Sequence, residues 1–206
     1  MTISFYGENC FKIQAGDLTV LIDPIDPKSG LPPPRFKFDI LLKTLSPFPP
    51  QERQKDAVVI SGPGEYDLKN VSIRGFLSEN EITEKILKTI YTAIIEDVKF
   101  CFLGHLSDAP APSIMEHLAD IDIMFIPAGG KPFIDQKKAV KLIRQVHPKI
   151  AIPTFHKIPG LKRPGDDLKI FIEEFNHHKV EPQEKLTIKK KDLAAIKPTQ
   201  LVVLKI

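Results

Sequence analysis

Over most of the first half of the chain, hydrophobic and polar residues alternate with a period of two. Residues 2–5 and 10–14 alternate with Gly7 between them, and Gly16-Asp17 turns the chain into residues 18–22. Successive strand side chains point to opposite faces, so this spacing predicts three antiparallel strands, closed by Asp23-Pro24. Residues 25–38 hold four prolines in 14 positions and are expected to form an irregular surface loop, because proline has no amide hydrogen to give a sheet. Asp39 opens an apolar strand that runs into the proline-studded stretch Leu45-Ser46-Pro47-Phe48-Pro49-Pro50. Residues 57–61 read as another short strand, followed by a turn at Gly62-Pro63-Gly64-Glu65-Tyr66, where the glycines allow conformations barred to other residues. Residues 71–76, 88–95 and 99–103 alternate again.

The period then changes. Residues 112–118 carry a short helical pattern and residues 121–126 a buried strand. Residues 135–147 form an amphipathic helix with Ala139, Leu142, Ile143 and Val146 on one face. A strand at 150–153 precedes a second amphipathic helix at 166–178, with Leu168, Phe171, Ile172 and Phe175 inward, and residues 201–204 make a last strand. No internal repeat and no linker interrupts this order. The expected architecture is one α/β domain over residues 1–206 with two stacked sheets and flanking helices.

Composition narrows the function classes. A chain of 206 residues with 42% hydrophobic content builds a core without staples. Its apolar runs are strand-sized, far short of the ~20 residues of a membrane span. The N-terminus enters a strand with no basic region or apolar leader, which predicts a cytoplasmic protein. Cys10 and Cys101 lie among apolar neighbours and read as small buried hydrophobes. A net charge of +3 is weak support for a nucleic-acid partner, and the basic run Lys189-Lys190-Lys191 reads as a solvated turn. His177 and His178 end a helix, where they meet its negative dipole end.

Six landmarks recur in order: Gly7-Glu8-Asn9-Cys10-Phe11, Leu21-Ile22-Asp23-Pro24, Ser61-Gly62-Pro63-Gly64-Glu65-Tyr66, Phe102-Leu103-Gly104, Ile126-Pro127-Ala128-Gly129-Gly130 and Ile152-Pro153. Together they resemble the metallo-β-lactamase superfamily, in its branch of small lactonase-like metal-dependent hydrolases. The resemblance implies a four-layer αββα sandwich, the metallo-β-lactamase fold, and in active members two metal ions at one edge of the paired sheets, where they polarise the substrate and generate a hydroxide nucleophile. It also implies where the ligands would stand. The His-x-His-x-Asp-His loop falls on Leu45, Pro47, Pro49 and Pro50, the later His near Asn80, the bridging Asp on His105 and the last His on Phe155, with His156 one place late. Glu8 stands where the family usually has His.

None of Leu45, Pro47, Pro49, Pro50 or Phe155 can ligate a metal. The expectation is therefore a non-catalytic protein of binding, assembly or regulation, with no cofactor, in which Leu45, Phe48, Phe155 and the prolines plug the former cleft. Two alternatives stand beside it. One is a divergent hydrolase of lactones, esters or phosphodiesters, holding zinc at a rebuilt site of His105, Asp108 and His156 with Glu79 or Glu8, or working without metal. The other is a nucleic-acid-associated protein. Ser107 lies beside His105 and Asp108, but residues so close in sequence do not converge as a nucleophilic triad. Glu173-Glu174 reads as part of a solvated helix face. Leu31, the prolines after it and Phe36 offer a contact surface for a second copy.

Overall fold

The computed structural model describes residues 1–49, 56–78, 83, 85–176 and 180–206. Strands β1 (Thr2–Gly7), β2 (Cys10–Ala15) and β3 (Leu18–Ile22) form the antiparallel opening. Next come β4 (Ile40–Lys43), β5 (Leu45–Pro47), β6 (Val58–Ser61), β7 (Gly64–Leu68), β8 (Val71–Leu77), β9 (Ile86–Ile95) and β10 (Val98–Phe102). The second half contains α1 (Pro112–Met115), β11 (Ile123–Pro127), α2 (Gln136–Val146), β12 (Ile150–Thr154) and α3 (Leu168–Asn176). It closes with β13 (Lys185–Thr187), α4 (Lys190–Leu193) and β14 (Gln200–Leu201).

Two sheets result. One has the order β13-β1-β2-β3-β4-β6; the other has the order β14-β12-β11-β10-β9-β8-β7, with β5 paired on β9. The chain crosses from one sheet to the other at Thr44, between β4 and β5, where the Thr89 amide donates to the Thr44 carbonyl at 2.9 Å. Strands β3, β4 and β6 run parallel, as do β10, β11, β12 and β14.

Alternation along each strand sorts its residues into layers. Phe11, Ile13, Val20, Ile22, Ile40 and Leu42 face the second sheet, while Cys10, Leu21 and Leu41 point outward into a smaller cluster. In the second sheet Phe100, Phe102, Ile123 and Phe125 face inward, and Cys101, Met124 and Ile126 meet the helices. Phe125 packs edge-on to Phe11 at 4.6 Å and against Phe102 at 4.9 Å, joining the sheets. Each such buried side chain contributes about 1.5 to 3 kcal/mol. Burial pushes both the Cys10 and the Cys101 thiol up to about 12, so both stay protonated at neutral pH.

Helix α2 starts on Asp135, whose carboxylate accepts from the Lys137 and Lys138 amides, and ends at His147 in a left-handed cap before Pro148. Ala139, Leu142 and Ile143 are buried as the pattern requires, with Val146 half-buried.

Several elements depart from the sequence reading. The Gly62 to Tyr66 turn is shorter than expected, and Gly64 already starts β7, which pairs with β8 through Tyr66 and Ile73. The lysine run is exposed as expected but starts helix α4 where a turn was expected, and Lys190 bonds Asp122 at 2.6 Å. The C-terminal strand is Gln200–Leu201, shorter than 201–204, and β13 was not anticipated. Leu31 does not offer itself to a second copy: it is buried with Cys10, Ile25 and Leu41, and Phe36 packs at a tilt against Tyr6, with ring centroids 5.4 Å apart. His177 and His178 lie outside the described residues. Among the described residues no helix is long and apolar enough to cross a membrane.

Candidate functional site

The parallel strands deliver their carboxyl ends to one edge, the usual place for a crevice in such sheets. Asp23 follows β3, Thr44 follows β4, His105 lies just beyond β10 and Phe155 follows β12. The hairpin tip Glu8-Asn9 joins them, because the Phe155 amide donates to the Glu8 carbonyl at 2.8 Å. Glu8, Asp23 and Phe155 all take positive φ, at 56°, 39° and 57°. Left-handed backbone costs about 1 to 2 kcal/mol for a residue with a side chain, and three such residues in one place mark a geometry imposed by its surroundings. They line a cleft of about 380 Å³ together with Asn9, Leu45, His105 and Arg163.

One group of side chains is a hydrogen-bonded chain. The Asp23 carboxylate accepts from Asn9 Nδ2 at 2.6 Å, from the Thr44 amide at 2.7 Å and from Thr44 Oγ1 at 2.5 Å. That last bond uses the one hydroxyl hydrogen of Thr44. The contact between Thr44 Oγ1 and His105 Nδ1, at 2.9 Å, therefore has the imidazole N–H as donor. Burial holds the His105 ring below its ordinary pKa, against the opposite pull of Asp23 at 3.9 Å, so the ring is neutral. Gly104 makes this approach feasible, since a Cβ there would overlap the Thr44 side chain.

The other group is centred on Arg163. Its Nε bonds both Glu8 oxygens at 3.2 and 3.0 Å, and Nη2 lies 2.9 Å from Oε2. The guanidinium also donates to the carbonyls of Phe155 at 2.6 Å and Pro164 at 2.7 Å, and rests over the Phe133 ring at 5.0 Å. Phe133 and Phe155 stack at 4.0 Å, and the His105 ring meets Phe155 edge-on at 4.8 Å.

A sequence profile described as Beta-lactamase superfamily domain matches residues 2–155, most of the chain. The chain belongs to this superfamily. A UPF0173 protein of Pyrococcus abyssi is 26% identical over 189 residues, covering 78% of this chain and 85% of that one. Among solved structures, a Thermotoga maritima protein described as a candidate Zn-dependent hydrolase of the metallo-beta-lactamase superfamily superposes with a TM-score of 0.79. It is 24% identical, and the match covers 98% of this chain and 97% of that one. The metallo-beta-lactamase fold protein YhfI of Bacillus subtilis matches with a TM-score of 0.59 and 7% identity, over 99% and 95% of the two chains. At these identities the structural matches establish the fold.

Within that superfamily fold, the positions expected to carry ligands are placed as follows. Leu45 is half-buried at the cleft wall, and Pro47 and Pro49 are exposed. Phe48 does not plug the cleft: it is 55% exposed, because β5 turns its far end to solvent. Pro50, Glu79 and Asn80 lie outside the described residues. Phe155 is buried, and packs on Phe133 where a ligand would stand.

Of the alternative set, the described members His105, Asp108, His156 and Glu8 do not come together as a metal-holding group. Asp108 is 64% exposed and pairs with Lys138 at 2.8 Å. His156 is no surface residue, being 5% exposed and stacked on Phe5 at 5.7 Å. Among the described residues, no group of three or more His, Cys, Asp or Glu side chains comes together in a way that could hold a metal ion. Ser107 accepts from Lys88 at 3.3 Å. These residues do not fit a two-metal centre, which needs several convergent imidazole and carboxylate donors.

Sequence reasoning passed over Asn9, Thr44, Phe133 and Arg163. Asn9 lay inside a quoted landmark, but Arg163 is 155 positions from Glu8 and carried no signal beyond the turn formers around it.

Proposed function

We propose that this superfamily member works without a catalytic metal, as a binding or assembly protein acting as one unit over residues 1–206. The observation that carries the reading is the Glu8–Arg163 pair. Glu8 occupies a position where the family usually has His, and a cation of the chain itself, held by bidentate bonds, balances it. Asp23 is likewise saturated by Asn9 and Thr44, so the negative charge at this edge is satisfied from within. Leu45, Pro47, Pro49 and Phe155 support the same reading, since they add apolar surface and no donor atom. The core between the sheets is independent of this edge, which explains how the fold persists without metal.

The test is the zinc, manganese and iron content of untagged protein dialysed against metal-free buffer, read by plasma mass spectrometry alongside assays on lactone, ester and phosphodiester substrates. The expected result is far less than one metal per chain and no hydrolysis above buffer. Near-stoichiometric metal that disappears in His105→Ala would overturn the reading in favour of a divergent metal-dependent hydrolase.

A further inference from the structure

We infer that a second cavity, at the amino ends of β12 and β14, binds a small organic carboxylate with an apolar tail, its head group held by Lys149 and Lys197. The site goes beyond the cleft reading and is independent of it. Lys149 stands just before β12 and Phe155 just after it, so the strand's five residues, at about 3.3 Å each, put roughly 16 Å of sheet between this cavity and the cleft.

The cavity is built where two helices end against a strand pair. Helix α2 finishes before His147, Pro148 leads the chain into β12, and α3 brings Phe175 of its last turn alongside. Hydrogen bonds hold the walls together. Arg144 Nη2 donates to the Glu174 and Phe175 carbonyls at 3.4 and 3.2 Å, Thr199 Oγ1 to the Pro148 carbonyl at 2.6 Å, and the Gln200 amide to the Lys149 carbonyl at 2.9 Å. The space of about 440 Å³ is therefore preformed, which lowers the cost of ordering it around a ligand.

Charge selects the head group. Arg144, Lys149 and Lys197 line the cavity, and among the described residues no carboxylate does. Arg144 is committed to the carbonyl end of α3, whereas the Lys149 and Lys197 ammonium groups have no hydrogen bond or ion pair among the described residues. The carbonyl ends of α2 and α3 contribute about half a negative charge each against these three cations, so the field at this corner stays positive. It draws in an anion and repels a cation. Lys149 is half-buried, and an unpaired ammonium there gains more from a carboxylate than one in open water does.

The apolar lining selects the tail. Ile143 closes the floor, and Phe175 and Ile196 remain half-buried, leaving surface that a hydrocarbon body covers. Inorganic phosphate would give up hydration without using that surface, which favours a carboxylate on an apolar chain.

The experiment titrates the full, untagged chain with octanoate, and in parallel with octylammonium as the cation of matching length. Calorimetry reads affinity and amide 15N NMR reads position. Octanoate should bind saturably, about ten-fold or more tighter than octylammonium, and move the amides of His147, Lys149 and Lys197 while leaving those of Asn9 and His105 in place. Lys149→Met combined with Lys197→Met keeps the apolar stems, removes both charges and should weaken octanoate by about ten-fold or more. Equal affinity for octylammonium, shifts at the cleft instead of here, no binding of octanoate, or a double variant that binds like wild type would each overturn the inference. Should the double variant not fold, the two wild-type titrations decide by themselves.

Discussion

Replacing Arg163 with alanine removes the cation around which half of the cleft is arranged. Glu8 then loses bonds at 3.2, 3.0 and 2.9 Å, and its side chain is only 17% exposed, against 21% for Arg163. Removing one partner of a buried pair costs about 3 to 5 kcal/mol, and the residual solvent contact places this pair at the lower end, about 3. Loss of the guanidinium over Phe133 adds about 0.5 to 1 kcal/mol, for a total near 4. Equilibrium urea unfolding of wild type, Arg163→Ala, Glu8→Gln and the double variant measures it as a cycle. Glu8→Gln should cost less, about 1 to 2 kcal/mol, since the amide oxygen still accepts from Arg163. The double variant should be milder than the sum of the singles by about 2 kcal/mol, because the stranded carboxylate is gone. A loss under about 1 kcal/mol for Arg163→Ala, or singles that simply add, would place the pair with ordinary surface ion pairs and refute the reasoning.

Three further outcomes follow from the same geometry. Burial pushes the His156 imidazole down from 6.5 to about 4, with Asp167 and Arg163 as the nearby charges. Above pH 6.5 both states hold the ring neutral; as pH falls from 6.5 to 4 the unfolded chain takes the proton first, so stability declines by about 3 kcal/mol across that window. His156→Phe should flatten part of that decline in melting temperature against pH, leaving the contribution of His105, whose shift has the same sign. Gly104→Ala, at φ 55° and against Thr44, should lose at least about 2 kcal/mol in urea unfolding and displace the His105 ring signals in NMR. Leu31→Ala should cost about 2 to 3 kcal/mol by denaturant midpoint, because Leu31 seals the outer face of the first sheet; a change within about 0.5 kcal/mol would return it to the surface role its loop suggests.

Much of the fold was legible in the chain because burial on a strand or helix face is a local periodic property. The alternation that sends Phe11 and Ile13 inward and Cys10 outward is written at intervals of two, and the Asp135 cap and inward face of α2 at intervals of three and four. Landmarks such as Ile22-Asp23-Pro24 and Leu103-Gly104 were legible for another reason: they are strand ends that must pass a turn, and turn chemistry restricts residue type.

The sequence by itself thus determined the sandwich, the family and the lack of ligand-type residues at positions 45, 47, 49, 50 and 155. Only the tertiary structure decided what stands there instead. It left Phe48 in solvent, sent His156 into the core and brought Arg163 across 155 positions to Glu8. It also aligned Asp23, Thr44 and His105 into one hydrogen-bonded chain from the ends of three different strands. The physical reason is that a hydrogen bond or ion pair depends on distance and direction between atoms, whereas periodicity reports only which face a residue occupies. Which donors meet at a sheet edge depends on strand order and parallel crossing, and neither leaves a trace at the spacing of neighbouring residues.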